Sequence, residues 1–344
     1  MKILKQVLGI DVAQKELVVS LGRLYEDLTV EVYANKVFPN TNKGFVTLLP
    51  WVKKLTDPTV ATRFVMEATG VYHESLAYFL VDQEKEVSIV LPNKISNYFK
   101  TLEVKTITDN TASEAITRFG LERKLNLWQR PKPIFKRLRQ LVRERDQIVA
   151  ERTMAKNQLH AEQAEAEPNV TSIVRVKKRI LLLDKQEKEI KDELILLAKK
   201  DVQVSSFIER LTSIPGVGLL TAVTVLAETN GFELVRNKRQ LTSYAGLDVR
   251  ERQSGTSIKG KPKISKRGNR YLRKAMHLPA LAAIRLDEHF KGIFIRLVSR
   301  HGIKMKAVVA VQRKLLELMY TLYKTNTHYN KNFIQLKTEK QPLQ

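Results

Sequence analysis

The first 130 residues alternate between short apolar runs and amphipathic segments. Three apolar runs joined by short turns come first, and they predict an antiparallel meander of strands at 7–12, 16–22 and 29–38. Helical and strand patterns then alternate. The spacing predicts helices over 41–55, 70–83, 109–123 and from Pro92 onward, and strands over 62–66 and 86–91. This order indicates a mixed α/β domain.

Residues 131–204 have a different pattern, in which charged positions surround Leu, Ile and Val at helical spacing. No glycine occurs between Gly120 and Gly216, and Pro168-Asn169 is the single clear turn signal between two long stretches. The pattern predicts two long helices that form either an antiparallel hairpin or a dimerising coiled coil. A solvated pair of spacer helices within a monomer fits the pattern nearly as well.

The remainder, 205–325, is predicted to be mostly α-helical, with buried helices over 272–284 and 303–322. Residues 213–218 (SIPGVG) precede an apolar helix over 219–227, as in a helix–hairpin–helix element. Backbone N–H groups at Gly216 and Gly218 would there bind a phosphate, although a helix-packing turn without a ligand has the same pattern. The polar tail, 326–344, is predicted to be frayed.

The composition of the chain indicates which class of partner it binds. The chain has 344 residues, 43% of them hydrophobic, no cysteine, and a net charge of +24. These values exclude wholesale disorder, disulfides and a thiolate metal site, and no apolar run approaches the roughly 18 residues of a membrane span. Residues 1–130 carry 17 basic and 15 acidic residues, whereas the rest carries 43 and 21. We therefore expect a cytoplasmic protein, with no membrane partner, whose second part binds a polyanion such as nucleic acid.

The densest positive charge lies in residues 250–274, which contain ten Lys or Arg and one Glu. Glycines and Pro262 predict a flexible loop that becomes helical from Arg270, suited to phosphate-backbone contacts. A solvated charged loop is the alternative. The predicted nucleic-acid contacts are Arg250, Arg252, Lys259, Lys261, Lys263, Lys266, Arg267, Asn269, Arg270 and Arg273, together with Gly216 and Gly218.

Three acids of the first part lie within or beside its predicted strands and helices. Asp11 lies in the first predicted strand, Glu67 follows a buried-type strand, and Asp109 starts a helix. Carboxylates beside buried strands are costly unless they are paired or bind metal, and hard cations such as Mg(II) prefer oxygen ligands. The strand order matches an RNase H-like domain, in which such acids converge on a two-metal phosphoryl-transfer site. Taken singly, each acid is better explained as a turn or capping residue, whereas the three together, in this strand order, favour a metal site.

Six motifs carry a resemblance that spans most of the chain. They are GIDVAQKEL, MEATGVYHESLAYFL and KTITDNTASEAITRFGLERKL, followed by SIPGVGLLTAVTVLAE, LTSYAGLDVRERQSG and KISKRGNRYLRKAM. The sequence resembles the DEDD transposases of the insertion-sequence one-ten family. The resemblance implies a RuvC-like metal-site domain (1–130), a helical linker (131–204), a mostly helical transposase domain (205–325) and a tail (326–344).

The resemblance also assigns chemistry, with one departure. It implies that Asp11, Glu67 and Asp109 bind Mg(II), and that Ser254, in a Ser-Gly pair, is the nucleophile; Ser257 is a nearby rival that lacks the motif match. Ala112 stands where the family has its fourth acid, and it is followed by Ser113 in place of the usual alanine. Either this is a natural variant with a rearranged site, or an Asp-to-Ala substitution that traps a complex. We favour the second hypothesis.

Further implications of the resemblance concern assembly. Family members act as dimers of dimers, bring serine and acids together in a composite site, and use a structured noncoding RNA to select donor and target DNA. Nothing in composition or spacing indicates RNA guidance. Two alternatives stay open: a RuvC-like nuclease or junction resolvase in which Ser254 is incidental, and a non-enzymatic nucleic-acid scaffold.

Overall fold

A computed structural model of the chain describes residues 1–68, 70–102, 106, 108–251, 253–254, 258–260 and 263–331. The chain forms two compact units, which divide after Arg130. The first unit contains strands β1 (Ile3–Val12), β2 (Glu16–Tyr25), β3 (Val30–Pro39), β4 (Thr62–Glu67) and β5 (Glu86–Val90), and helices α1 (Asn42–Leu55), α2 (Glu74–Asp82), α3 (Pro92–Phe99) and α4 (Asp109–Glu122).

The strands form one mixed sheet in the order β3-β2-β1-β4-β5. Strands β1, β2 and β3 pair antiparallel, which confirms the predicted meander, and β4 and β5 extend the sheet in parallel with β1. This is the strand order of an RNase H-like sheet. Leu8 and Ile10 of β1 pack in one core with α1 and α2 residues, while Val7 packs with residues of α4 in another, so the sheet is covered on both faces.

Helix α4 lies directly on the backbone of β1 because glycine removes the side chain between them. A Cβ atom on Gly9 would lie 2.3 Å from the Thr117 Oγ1 atom, whereas the Gly9 N–H donates to that same oxygen at 3.1 Å. Near the start of β1, Lys5 Nζ donates to the Leu121 carbonyl at 2.9 Å. The helix therefore runs antiparallel to β1, and its N-terminus points toward the carboxyl end of that strand.

The second unit is mostly helical. Its elements are α5 (Pro133–Gln163), α6 (Val170–Lys200), α7 (Val202–Thr212), α8 (Leu219–Thr229), α9 (Lys238–Tyr244), β6 (Val249–Arg250), β7 (Gln253–Ser254), β8 (Ile258–Lys259), β9 (Lys263–Ile264), α10 (Arg270–Ala275), α11 (His277–Leu286), α12 (Glu288–His301) and α13 (Lys304–Thr325). One hydrophobic core joins the base of the α5–α6 pair to the helices that follow it.

Helices α5 and α6 form an antiparallel hairpin. Ion pairs cross between them at Arg137–Glu193 (2.8 Å), Arg145–Glu187 (2.7 Å) and Arg152–Asp184 (2.7 Å), and the partner number falls on α6 as it rises on α5. Asn169 is the N-cap of α6, and its side chain accepts hydrogen bonds from the Thr171 and Ser172 N–H groups. Within one chain, α5 and α6 therefore pair as the predicted antiparallel hairpin.

Three predictions about the second unit need correction. The predicted 272–284 helix is divided at Met276, because Pro279 has no N–H to donate to Ala275 and a continuous helix would lose that hydrogen bond. The predicted flexible loop contains two short nested ladders, in which β6 pairs with β9 and β7 with β8. The predicted frayed tail is fixed at its start, since Tyr329 donates from its backbone N–H to Ser213 Oγ at 2.8 Å.

Among the residues described, none of the helices has both the length and the apolar character that a membrane crossing requires.

Candidate functional site

Three acids lie at the carboxyl end of the central strands. Strands β1 and β4 pair in parallel up to Ile10 opposite Met66, so the next residues, Asp11 and Glu67, stand side by side on the same face of the sheet. Alternation along β1 puts Asp11 on the face of Gly9, which α4 covers. Asp109 is the first residue of α4. The sheet and the helix thus bring all three carboxylates to one edge.

The pKa of the Asp11 carboxyl is consistent with acids close to it. Burial, together with the negative charges of Asp109 and Glu67, raises the pKa of the Asp11 carboxyl to about 6. The described residues contain no group of three His, Asp or Glu side chains close enough to close around a metal ion. The acids therefore form a region of concentrated negative charge rather than a finished cage, and a cation would relieve their repulsion.

Asp109 is not needed to cap its helix. The N-cap of α4 is Thr108, whose side chain accepts from the Thr111 N–H while the Thr111 hydroxyl accepts from the Thr108 N–H. This reciprocal capping box satisfies the helix end without a carboxylate. The capping interpretation of Asp109 is therefore unnecessary, and its side chain is available for another role.

Ala112 lies one helical turn after Asp109, and Glu114, the next acid along α4, does not take its place. Glu114 accepts a hydrogen bond from Asn35 Nδ2 of β3 at 3.0 Å, so its carboxylate is engaged over another strand. Ser113 is buried, and its hydroxyl shares a 2.6 Å hydrogen bond with that of Ser20 on β2. The extra hydroxyl at Ser113 therefore serves helix–sheet packing.

Ser254 ends strand β7 in the second unit. Its backbone pairs with Ile258 of β8, so Ser254 lies at the end of the inner ladder. The predicted contacts Arg252 and Lys261, and the rival serine Ser257, fall outside the described residues. The inner ladder is enclosed by the pairing of Val249 with Ile264.

Asn269, predicted to contact nucleic acid, is engaged inside the protein. Its Oδ1 accepts from the Leu272 N–H at 2.9 Å and caps α10, while its Nδ2 donates to Glu228 Oε2 at 2.6 Å. Glu228 is 1% exposed and receives two hydrogen bonds from Arg143 of α5, at 2.8 and 2.9 Å. The Glu228 network, formed by Arg143, Glu228 and Asn269, thus ties the basic segment to the hairpin.

Sequence reasoning missed Arg143 and Glu228, although an acid within the apolar run 219–229 is a usable signal. A buried carboxylate demands a charged partner, but the pattern does not say which of many arginines supplies it. Arg143 lies 85 residues away along the chain. The partner is fixed only by packing of α5 against α8.

The two glycines of the 213–218 turn differ in role. Gly216 has a positive φ of +87°, and a Cβ there would lie 2.6 Å from the Ala283 backbone nitrogen of α11. Its residue type is thus explained by helix packing. Gly218 is the N-cap of α8 and faces open space, so it retains room for a ligand.

Other cations of the basic segment are at the surface. Arg273 donates from Nη1 to the Ala245 carbonyl at 2.9 Å and fixes the turn after α9. Exposed members are Arg250, Lys263, Lys266, Arg267, Arg270 and Lys274. The side chain of Lys259 belongs to the undescribed part of this segment.

Family models match both parts of the chain. The model described as the transposase IS116/IS110/IS902 family matches residues 208–294, and the DEDD transposase model of IS110 elements matches residues 8–163. The two matches coincide with the acid-bearing sheet and with the segment that contains Ser254. This chain's similarity to transposases therefore covers both candidate sites.

Individual proteins similar to this chain include proteins of insertion elements and a gene-inverting protein. The pilin gene-inverting protein of Moraxella lacunata is 27% identical over 336 residues, which are 95% of this chain and 98% of the relative. An uncharacterised 43.6 kDa protein of insertion element IS110 from Streptomyces coelicolor is 32% identical over 119 residues, 35% of this chain and 29% of the relative. T. thermophilus RuvC in complex with a Holliday junction substrate aligns at 10% identity with a TM-score of 0.27, covering 36% of this chain and 99% of that chain.

The family matches over residues 8–163 and 208–294 identify this protein as a DNA transposase. Both models describe the same group of elements, and one relative matches along nearly the whole chain. The chain belongs to the IS110 family of DEDD transposases.

Proposed function

We propose that this protein cleaves and rejoins the DNA strands of an insertion sequence, with Ser254 as nucleophile and a Mg(II) site on Asp11, Glu67 and Asp109. The observation that carries the proposal is the placement of three acids at one sheet edge, near enough that the charges of Asp109 and Glu67 help to raise the pKa of Asp11 to about 6. Concentrated carboxylate charge in a transposase fold supports cation-assisted phosphoryl transfer.

The residues present suit a magnesium ion in kind. Their donors are carboxylate oxygens, and the repulsion that raises the pKa of Asp11 is what a divalent cation would offset. When bound, the metal would supply stabilisation of the charge that develops on the phosphate oxygens. Ala112 contributes no oxygen, so the set is one donor short of the family pattern.

Ser254 would act on the scissile phosphodiester. Its Oγ attacks phosphorus, the bond from phosphorus to the 3′ oxygen breaks, and that oxygen leaves as a 3′-hydroxyl with a proton. A covalent 5′-phosphoserine results. Attack by the 3′-hydroxyl of another strand reverses the step, joins the strands and frees the serine. Exposed cations of the basic segment, such as Lys266 and Arg267, would hold the phosphate backbone during the exchange.

Assembly and guidance follow from the family resemblance. The acids and the serine lie in different units of the chain, so a composite site in a dimer of dimers would unite them. A structured noncoding RNA would select the donor and target DNA. Sequencing the RNA that copurifies with the protein tests this part: a discrete structured species supports guidance, and random cellular RNA contradicts it.

The chemistry is tested with a nicked DNA substrate and Mg(II) in the Ala112→Asp protein. We expect a covalent protein–DNA adduct that disappears in Ser254→Ala and persists in the matched control Ser257→Ala. Cleavage that survives Ser254→Ala without an adduct would instead indicate a RuvC-like nuclease. DNA binding without cleavage, and without Mg(II) binding even after Ala112→Asp, would indicate a scaffold.

A further inference from the structure

A basic cavity lies in the second unit, at the helical end of the basic segment. It has a volume of about 510 Å³, in the range of small-molecule sites. Arg270, Arg273, Lys274 and His277 line it from α10 and the start of α11. Spacing of three and four residues puts Arg273 and Lys274 on the same face of α10 as Arg270, and His277 is the first residue of α11. We call this cavity the Arg270–His277 pocket.

Each donor that lines the pocket is held by a neighbouring group. Arg270 Nη2 donates to the Tyr271 hydroxyl at 2.9 Å, and Arg273 Nη1 donates to the Ala245 carbonyl at 2.9 Å. The Lys274 ammonium pairs with Asp146 of α5. Such contacts fix side chains that are otherwise mobile, and so lower the entropy lost on binding a ligand.

His277 is oriented from inside the protein. The amide of Gln312, a residue only 4% exposed on α13, lies 3.0 Å from His277 Nδ1. That contact leaves Nε2 for a ligand in the pocket. A buried polar side chain that holds an imidazole at a cavity wall indicates a built site.

The ligand chemistry follows from charge and from the state of Tyr271. Three cations against one acid give the lining a positive balance. The Tyr271 ring already has the guanidinium of Arg143 at 4.7 Å and that of Arg270 at 4.8 Å from its centroid. Those cation–π contacts occupy the ring, so it is a support for Arg270 rather than a platform for a base.

We propose that the Arg270–His277 pocket binds one phosphate group of a nucleic-acid backbone. Arg270, Arg273 and Lys274 neutralise the phosphate, and His277 donates a hydrogen bond to it from Nε2. Tyr271 and Gln312 are positioning residues. The inference rests on the nucleic-acid binding of the proposed function but not on strand cleavage, so a protein that never cleaves DNA can still uphold it.

The test measures binding of a labelled 12-nucleotide single-stranded oligo(dT) by fluorescence anisotropy over a series of KCl concentrations. Arg270→Gln is expected to weaken binding about tenfold, because a charge-assisted hydrogen bond is removed. It also reduces the slope of log K against log salt by about 0.7. The matched control is Arg296→Gln, an exposed arginine of α12 outside the pocket, with an expected change under about twofold.

Gln312→Met tests the positioning role without changing charge. It is expected to weaken oligonucleotide binding about threefold, with the salt slope unchanged within about 0.2, because the same phosphates are neutralised. Equal effects of Arg270→Gln and Arg296→Gln would overturn the proposal, whatever the stability of the Gln312 variant. Inorganic phosphate, exchanged for chloride at constant ionic strength, identifies the source: displacement of the oligonucleotide at low millimolar concentration indicates free phosphate, and its absence indicates the polymer backbone.

Discussion

At the scale of single residues, the repulsion within the acid cluster is seen in the pKa of Asp11. Burial and the charges of Asp109 and Glu67 raise its pKa from 3.8 to about 6. The folded state therefore holds the proton more tightly than the unfolded chain, and stability is lost as pH rises from about 4 through 6. We expect Asp11→Asn to raise the Tm of the metal-free protein at pH 8 by on the order of 2 °C, with a smaller change at pH 4.

Thermal unfolding at the two pH values checks this, with Glu26→Gln, an exposed acid after β2, as control. Saturating Mg(II) at pH 8 should stabilise the wild-type protein more than the Asp11→Asn variant. A variant less stable than wild type at pH 8 without metal would contradict the assigned direction of the pKa shift.

The missing acid gives a second prediction for a single residue. Ala112→Asp puts a carboxylate on the face of α4 that Asp109 occupies, because residues three apart share a helix face. We expect calorimetric Mg(II) affinity to rise about tenfold. Glu114→Asp is the matched control, and we expect no gain in Mg(II) affinity from it because Glu114 is hydrogen-bonded to Asn35. Unchanged affinity and unchanged Mg(II)-dependent cleavage in Ala112→Asp would reject the hypothesis that Ala112 replaces a functional aspartate.

At the scale of elements, the α5–α6 hairpin depends on one buried carboxylate. Glu187 is 4% exposed and pairs with Arg145 at 2.7 Å, Lys191 at 2.8 Å and Arg152. Desolvation would raise its pKa, but these three cations outweigh burial and lower the pKa to about 2. Glu187→Gln leaves the cations without their shared partner, so we expect a loss of about 2–3 kcal/mol in the free energy of unfolding at pH 7.

Denaturant unfolding measures that loss. Glu189→Gln is its counterpart on the same helix, where the exposed pair with Lys185 at 3.9 Å is worth under about 0.5 kcal/mol. Because the folded pKa is depressed, the stabilisation is present above about pH 4.5 and is lost as pH falls toward 2. Equal losses in the two variants would mean that burial does not strengthen the Glu187 pairs.

Elements with a local signal were predictable, and those decided by distant packing were not. The meander, β4 and α4 follow from alternation or helical spacing, and an acid at a strand end indicates the edge at which Asp11 and Glu67 meet. The division at Met276 depends on one proline, which the apolar pattern conceals. The Glu228 network and the Arg270–His277 pocket require α5, α8, α10 and α13 to pack together, so sequence spacing identified Arg270 and Arg273 but not Gln312 or Arg143.

At the scale of the whole molecule, the +24 charge is unevenly placed. The first unit is near neutrality, with 17 basic and 15 acidic residues, and it holds the acids proposed to bind metal. The excess lies in the second unit, where the exposed cations of the basic segment flank Ser254 in the chain. A polyanion should therefore bind mainly through the second unit, with the first unit adding little to the electrostatic attraction.

Substitution of matched sets tests this distribution. Changing Lys263, Lys266 and Arg267 to Gln is expected to lower duplex DNA affinity by at least tenfold at 0.1 M salt. It should also reduce the slope of log K against log salt by about 0.9 for each phosphate that the variant no longer neutralises. The matched set Lys43, Lys53 and Lys54, exposed on α1, removes the same charge from the first unit and should change affinity less than about threefold. Equal effects would show that DNA responds to net charge alone, and a larger effect of the α1 set would move the DNA-binding surface to the RNase H-like unit.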